Sequence, residues 1–236
     1  MTTPAARRFY EAARAVPAGS GFRVELDGRP VRTPAGVEMI LPTRALAEAV
    51  ADEWAAQAEE IAPATMPMMQ LACTAIDRLG AARPEVAADI AGYGGSDLLC
   101  YRADAPPDLV DRQAALWQPV LDWLAAEVGA ELLVTQGISH VTQPSEALEK
   151  LAAAVDALDD FELTAVARLT QVGGSLVLAL AVEHGFLEWQ TALEAALVDE
   201  VYQSQQWGED KEALDRRRAM TEEAEAAVRF LGLVRS

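Results

Sequence analysis

Residue types able to do chemistry are sparse in this chain. His140 and His184 lie in no HExxH arrangement and at no spacing that would place two ligands on one helix face, so metal catalysis is not expected. Cys73 and Cys100 stand far apart, without a CxxC partner or a neighbouring histidine, which argues against zinc ribbons, redox pairs and a disulfide framework. Both read as buried thiols. Two serines follow paired glycines, at Gly94-Gly95-Ser96 and Gly173-Gly174-Ser175. Neither run continues into the Lys-Ser/Thr of a phosphate-binding loop, and Val177 occupies the position where a hydrolase elbow needs its second glycine. These glycines are expected to permit close helix packing. Acid pairs such as Glu59-Glu60, Asp159-Asp160 and Glu222-Glu223 could supply a general acid and base, but carboxylates this abundant usually form a solvated surface. No cofactor is expected.

The elements that carry these residues divide by pattern. Residues 10 to 42 alternate in short apolar and polar steps, and Asp27-Gly28 between two such runs is a strong hairpin signal, since a type I′ turn requires positive φ at both central positions. A small antiparallel meander is expected there. Thr43 then caps a helix running to about Glu60 that can cover one face of the sheet. Beyond Pro63, helices are predicted at 67–79, 84–93, 107–128, 144–158, 161–169, 175–184, 187–207 and 210–231. Two strand-like runs, 98–101 and 131–135, interrupt them and could pair as a ribbon. The fold class read from this is α+β: a domain at 1–64 of sheet and helix, followed at 65–236 by a predominantly helical domain, an orthogonal bundle.

Composition bounds the partners. The 236 residues are 51% hydrophobic, enough for a sizeable core, and carry a formal net charge of −18. Residues 1–34 hold six arginines and three acids, so the remaining 202 hold 13 bases and 34 acids, close to −21. That field disfavours nucleic acid and favours a basic protein surface in a salt-dependent way. No run of 18 apolar residues occurs, and the N-terminus lacks the apolar centre of a signal peptide, so a cytoplasmic protein without membrane insertion is expected.

One stretch stands out, Asp199 to Glu209. With the predicted 187–207 helix taken as continuous, Glu200 falls inside the apolar stripe of Trp189, Leu193, Ala196, Leu197 and Trp207. A carboxylate there must be paired internally, with an arginine of Arg216-Arg217-Arg218, or turned toward a partner. Trp207 is either ordinary core or the aromatic anchor of a binding surface.

From Arg8-Phe9-Tyr10 to Arg229-Phe230-Leu231 the chain also resembles a known family. The motifs are Leu26-Asp27-Gly28-Arg29-Pro30-Val31 with Thr33-Pro34; Leu41-Pro42-Thr43 through Ala51-Asp52-Glu53-Trp54; Met66-Pro67 to Thr74-Ala75-Ile76-Asp77; Ser96-Asp97-Leu98-Leu99-Cys100-Tyr101-Arg102; Gly174-Ser175-Leu176; and Gln206-Trp207-Gly208-Glu209. Each is weak alone, but their order and spacing are specific. They are similar to the assembly chaperones that hold the alpha subunit of the soluble catalytic head of F-type ATP synthase. Met68-Met69-Gln70 departs from the family pattern, which more usually has leucine and threonine there. The resemblance implies no catalysis and no cofactor, a free monomer, and a client that would aggregate until the beta subunit covers it. It also implies a cytoplasmic site in bacteria and the mitochondrial matrix for organellar relatives. Carried over by position, partner binding falls on Glu200, Trp207, Gly208 and Glu209, and structural roles fall on Trp54, Asp97 and Gly174. The competing expectations are an acidic interaction module with a different client and a small serine-dependent hydrolase.

Overall fold

The computed structural model describes residues 6–137, 139–208 and 210–236. They form two compact units. The first comprises the described residues up to Arg83 together with Asp160–Thr164 and Arg229–Ser236; the second comprises Pro84–Asp159 and Ala165–Val228.

The first unit begins with β1 (Ala13–Ala18) and β2 (Gly21–Leu26), antiparallel in the register Ala13 to Leu26. Asp27 and Gly28 adopt φ of 48° and 79° and return the chain into β3 (Arg29–Pro30), which pairs with the end of β2. The expected hairpin is present. β4 (Ile40–Leu41) pairs with the beginning of β2 instead of adding beside β3, so the sheet is antiparallel but not a simple meander. Gly21 allows that approach, because a Cβ there would sit 2.4 Å from the Leu41 carbonyl oxygen.

Helix α1 (Arg44–Ala55) packs on β1 and β2 with Leu46 and Val50 fully buried, and Thr43 Oγ1 caps it by accepting from Leu46 N at 3.2 Å. It ends earlier than predicted: Gln57 N donates to Trp54 O, closing a tighter turn. Helix α2 (Pro67–Cys73) continues as a π-helical stretch at Thr74–Leu79. Its first free N–H groups, on Met68 and Met69, donate to the Glu53 carboxylate of α1 at 2.7 and 2.8 Å, a cap supplied from another helix. In the same unit Thr43 Oγ1 donates to Leu233 O at 2.5 Å, and Phe161 stacks on Phe230 with ring centroids 6.2 Å apart.

The second unit is built mainly of helices: α3 (Gly80–Gly92), α4 (Pro107–Trp123, extended by a π turn at Leu124–Val128), α5 (Ser145–Asp156), α6 (Asp160–Gly173), α7 (Leu176–Glu183), α8 (Trp189–Ala196), α9 (Val198–Trp207) and α10 (Lys211–Val234). The N-terminal parts of α3 and α6 and the C-terminal part of α10 count with the first unit. Helix α7 is buried on every side, as its unbroken apolar run predicts. The 98–101 and 131–135 runs behave differently from expectation. Leu98–Cys100 forms a 3₁₀ turn because Asp97 accepts from Leu99 N at 3.1 Å, and the ribbon is a short parallel pair, β5 (Tyr101–Arg102) with β6 (Thr135–Gln136).

The predicted 187–207 helix is two helices. Leu197 lies at φ −102° and ψ 6°, between the helical and extended regions, and separates α8 from α9. The Ala195 carbonyl, which an unbroken helix would pair with the N–H of residue 199, accepts instead from the indole Nε1 of the fully buried Trp117 at 2.8 Å. No proline or glycine marks the break, since its cause is an indole 78 residues away in sequence.

Candidate protein-binding site

The break at Leu197 changes what Glu200 is. Val198 opens α9, so Asp199 and Glu200 occupy its first turn, where unpaired N–H groups and the helix dipole favour negative charge. Glu200 therefore does not share a continuous stripe with Leu193. Its carboxylate accepts from Arg216 on α10 and lies 3.6 Å from Arg217 Nε, with the Glu200 side chain 26% exposed. Of the two readings open from the sequence, internal pairing is the one realised in this conformation.

Asp199, Tyr202 and Gln205 of α9 are tied to α4. Asp199 accepts from Gln113 Nε2 at 2.6 Å, and Gln113 Oε1 accepts from Ala103 N at 2.7 Å. Tyr202 donates its hydroxyl to Asp108 at 2.9 Å, while Arg112 stacks over the Tyr202 ring and donates to Gln205 at 2.8 Å. Gln113, Asp108 and Arg112 were not singled out from the sequence. Their partners are 86 to 94 residues away, and no local pattern announces such pairs.

On α9 this bracing leaves one large apolar side chain outside. Trp207, the last residue of α9, is 80% exposed, and Leu214, the fourth residue of α10, is 46% exposed. Trp207 is therefore not core. Gly208 follows at φ 92°, a conformation that glycine adopts without strain, and its N–H donates to Ser204 O at 2.9 Å to end the helix. Asp210 starts α10 by accepting from Ala213 N at 2.7 Å. Glu209 lies outside the described residues. The hairpin thus brings Glu200, Trp207 and Gly208 onto one pair of helices, with Glu200 at the opposite end of α9 from the tryptophan.

Trp54, Asp97 and Gly174 lie elsewhere. Trp54 is half-buried on α1, meets the Tyr10 ring edge-on at 5.6 Å, and accepts the Tyr10 hydroxyl on its carbonyl at 2.7 Å. Asp97 is fully buried in the second unit. Its carboxylate accepts from Leu99 N, from Ser175 Oγ at 2.7 Å and from Val177 N at 3.1 Å, joining the 3₁₀ turn to the start of α7. Burial pushes its carboxyl up to about 6, against the opposing pull of those donors. Gly174 adopts φ 67° between α6 and α7.

The same geometry removes Ser175 as a nucleophile. Ser175 is fully buried, donates to Asp97 and accepts from Leu178 N at 3.0 Å, so its oxygen serves as a helix cap with no access for substrate. Burial lifts the Cys73 thiol to about 11 and Cys100 to about 12, which leaves little thiolate at neutral pH. Cys100 is buried as expected and Cys73 partly so. Gly94 has the packing role anticipated for the glycine clusters, since a Cβ would meet Leu151 of α5 at 2.5 Å. Among the described residues no group of three or more His, Cys, Asp or Glu side chains could hold a metal ion, and no helix is long and apolar enough to cross a membrane.

The geometry gives a class of protein with an α+β unit, a helical unit and an exposed tryptophan at the end of α9. Known proteins narrow the class. The family model described as ATP12 chaperone protein matches residues 7–125. The crystal structure of Atp12 from Paracoccus denitrificans is 42% identical with a TM-score of 0.94, over 97% of this chain and 98% of that one. The Atu1473 protein of Agrobacterium tumefaciens is 39% identical with a TM-score of 0.92, over 98% of this chain and 87% of that one. The mitochondrial protein atp12 of Schizosaccharomyces pombe is 22% identical over 243 residues, spanning 97% of this chain and 83% of its own length. The chain belongs to the ATP12 chaperone family: it is a non-enzymatic chaperone of F1-ATPase assembly that binds the alpha subunit.

Proposed function

We propose that the chain holds the unassembled alpha subunit through the α9–α10 hairpin, keeps it from aggregating, and yields it when the beta subunit takes its place. The observation that carries the assignment of the surface is Trp207, an 80% exposed indole at the end of a helix whose Asp199, Glu200, Tyr202 and Gln205 side chains are internally paired. A rigid aromatic that loses little conformational freedom on docking is the kind of side chain that dominates binding energy. Gly208 and Glu209 extend the surface beyond the helix end, and Glu200 contributes its charge from the first turn, exchanging Arg216 for a basic group of the client. Trp54, Asp97 and Gly174 serve the scaffold.

The free protein acts as a monomer in the bacterial cytoplasm, without binding nucleic acid or inserting into a membrane. Its net charge of −18 suits it to a basic client and opposes phosphate backbones. Titration of purified alpha subunit tests the hairpin assignment. Trp207→Ala is expected to weaken binding by about thirtyfold, roughly 2 kcal/mol, because hot-spot tryptophans contribute that much. An unchanged Kd would remove the hairpin from the interface.

A further inference from the structure

An open groove in the second unit lies where α4 faces the β5–β6 pair. Arg102, Val110, Ala114, Val134, Thr135 and Gln136 line about 520 Å³ of space, which falls in the size range of ligand pockets. Val134 is 44% exposed and Ala114 is exposed, so the aliphatic part of the groove faces solvent and completes no core.

The charge in the groove is Arg102. Its guanidinium lies over the Trp117 ring of α4 at 5.3 Å, donates from Nε to Leu99 O at 3.0 Å, and donates from Nη2 to Gln118 Oε1 at 3.3 Å. These contacts hold the fork in place but use only neutral acceptors. Among the described residues Nη1 makes no hydrogen bond and no carboxylate pairs with the guanidinium. Asp104 and Asp111 are exposed and do not reach it, and Asp108 is taken by the Tyr202 hydroxyl. Burial disfavours the charge and lowers the Arg102 pKa, with no acid to offset it. In a chain with 37 acids, a half-buried and already oriented guanidinium has been left without a counter-ion. Such a group gains most from a carboxylate that arrives with a partner.

We infer that this groove is a second docking point for the alpha subunit, taking an extended segment in which an aspartate or glutamate meets Arg102 and an aliphatic neighbour lies against Val110, Ala114 and Val134. The inference rests on the chaperone reading but not on the assignment of the α9–α10 hairpin. Nη1 and Nη2 can give a carboxylate two parallel N–H bonds, a geometry that fixes the register of the bound segment. The net charge of the chain acts at long range on the client as a whole, whereas this fork selects one acidic position within it.

The test titrates purified alpha subunit with the full chain and with two variants at Ala114, an exposed helix residue with no side-chain bond to lose. Ala114→Glu places a carboxylate in the groove, where it competes for Arg102 and repels that of the client, and it is expected to raise the Kd about tenfold or more. Ala114→Gln, similar in size but uncharged, is expected to change the Kd by about threefold or less. Equal effects of the two, or an unchanged Kd for Ala114→Glu with an unchanged melting temperature, overturn the proposal. Residue-resolved hydroxyl-radical footprinting of the natural chain is expected to show Val134 protected on complex formation. A natural chain that binds alpha while Val134 stays as reactive as in the free protein excludes the groove and leaves the chaperone reading standing. A natural chain that fails to bind alpha at all overturns both. The footprint needs no substitution, so it decides the matter even where a variant does not fold.

Discussion

At the scale of single residues, Asp97 and Glu200 show how differently two carboxylates are held. Asp97 is wholly buried with three donors at hydrogen-bond distance, and its carboxyl sits near 6 instead of the ordinary 3.8. A folded-state value above the unfolded one means that the folded chain keeps a proton the unfolded chain has lost. The associated stability is present below about 3.8 and is lost as pH rises through about 6, roughly 3 kcal/mol in all. Asp97→Asn would place an amide donor against the Val177 or Leu99 N–H and should lower stability by about 1–3 kcal/mol. Denaturation of both proteins from pH 4 to 7.5 should show the advantage of the natural residue shrinking as pH rises. A difference that does not vary with pH would contradict a carboxyl held protonated by burial. Glu200 is partly solvated, so removing its ion pair should change stability by less than about 1 kcal/mol. Glu200→Gln should therefore leave the melting temperature nearly unchanged while weakening alpha-subunit binding. A large loss of stability would instead give the Arg216 and Arg217 contacts a purely internal role.

At the scale of elements, legibility followed locality. Thr43, Ser175 and the Asp27-Gly28 turn act within three or four residues of themselves, so the starts of α1 and α7 and the β2–β3 hairpin could be read directly. The break at Leu197 could not, because its cause is the Trp117 indole on another helix. That one break changed the site reading. It moved Glu200 from a buried stripe to a helix start, and it separated Trp207 from the apolar face of α8. The side-chain seam that braces α9 against α4, through Gln113, Asp108 and Arg112, was equally invisible. It leads to an element-level prediction. Gln113 is 1% exposed and links Asp199 to the Ala103 N–H, so Gln113→Ala should destabilise the second unit by about 1–3 kcal/mol. It should also speed amide exchange along α9 ahead of α7. Exchange in α9 that stays as slow as in the natural protein would show that the seam does not hold the hairpin.

At the scale of the whole molecule, the charge balance and the family relationship converge on one activity. If the net charge of −18 steers docking, association with the alpha subunit should slow as salt screens the attraction, on the order of tenfold between low salt and 0.5 M. The apolar contribution of Trp207 should persist. The family membership and the α+β architecture were both legible in the sequence because motif order along the full length is a global signal. The return of Asp160–Thr164 and Arg229–Ser236 to the first unit is not encoded in any local pattern. The most direct measurement of the central claim is light scattering from purified alpha subunit diluted from denaturant, with and without this chain, beside an unrelated aggregating protein as the control client. The natural chain should suppress scattering from alpha and leave the control unprotected, and Trp207→Ala should lose most of that effect. Equal protection of both clients, or none for alpha, would contradict a chaperone specific for the alpha subunit.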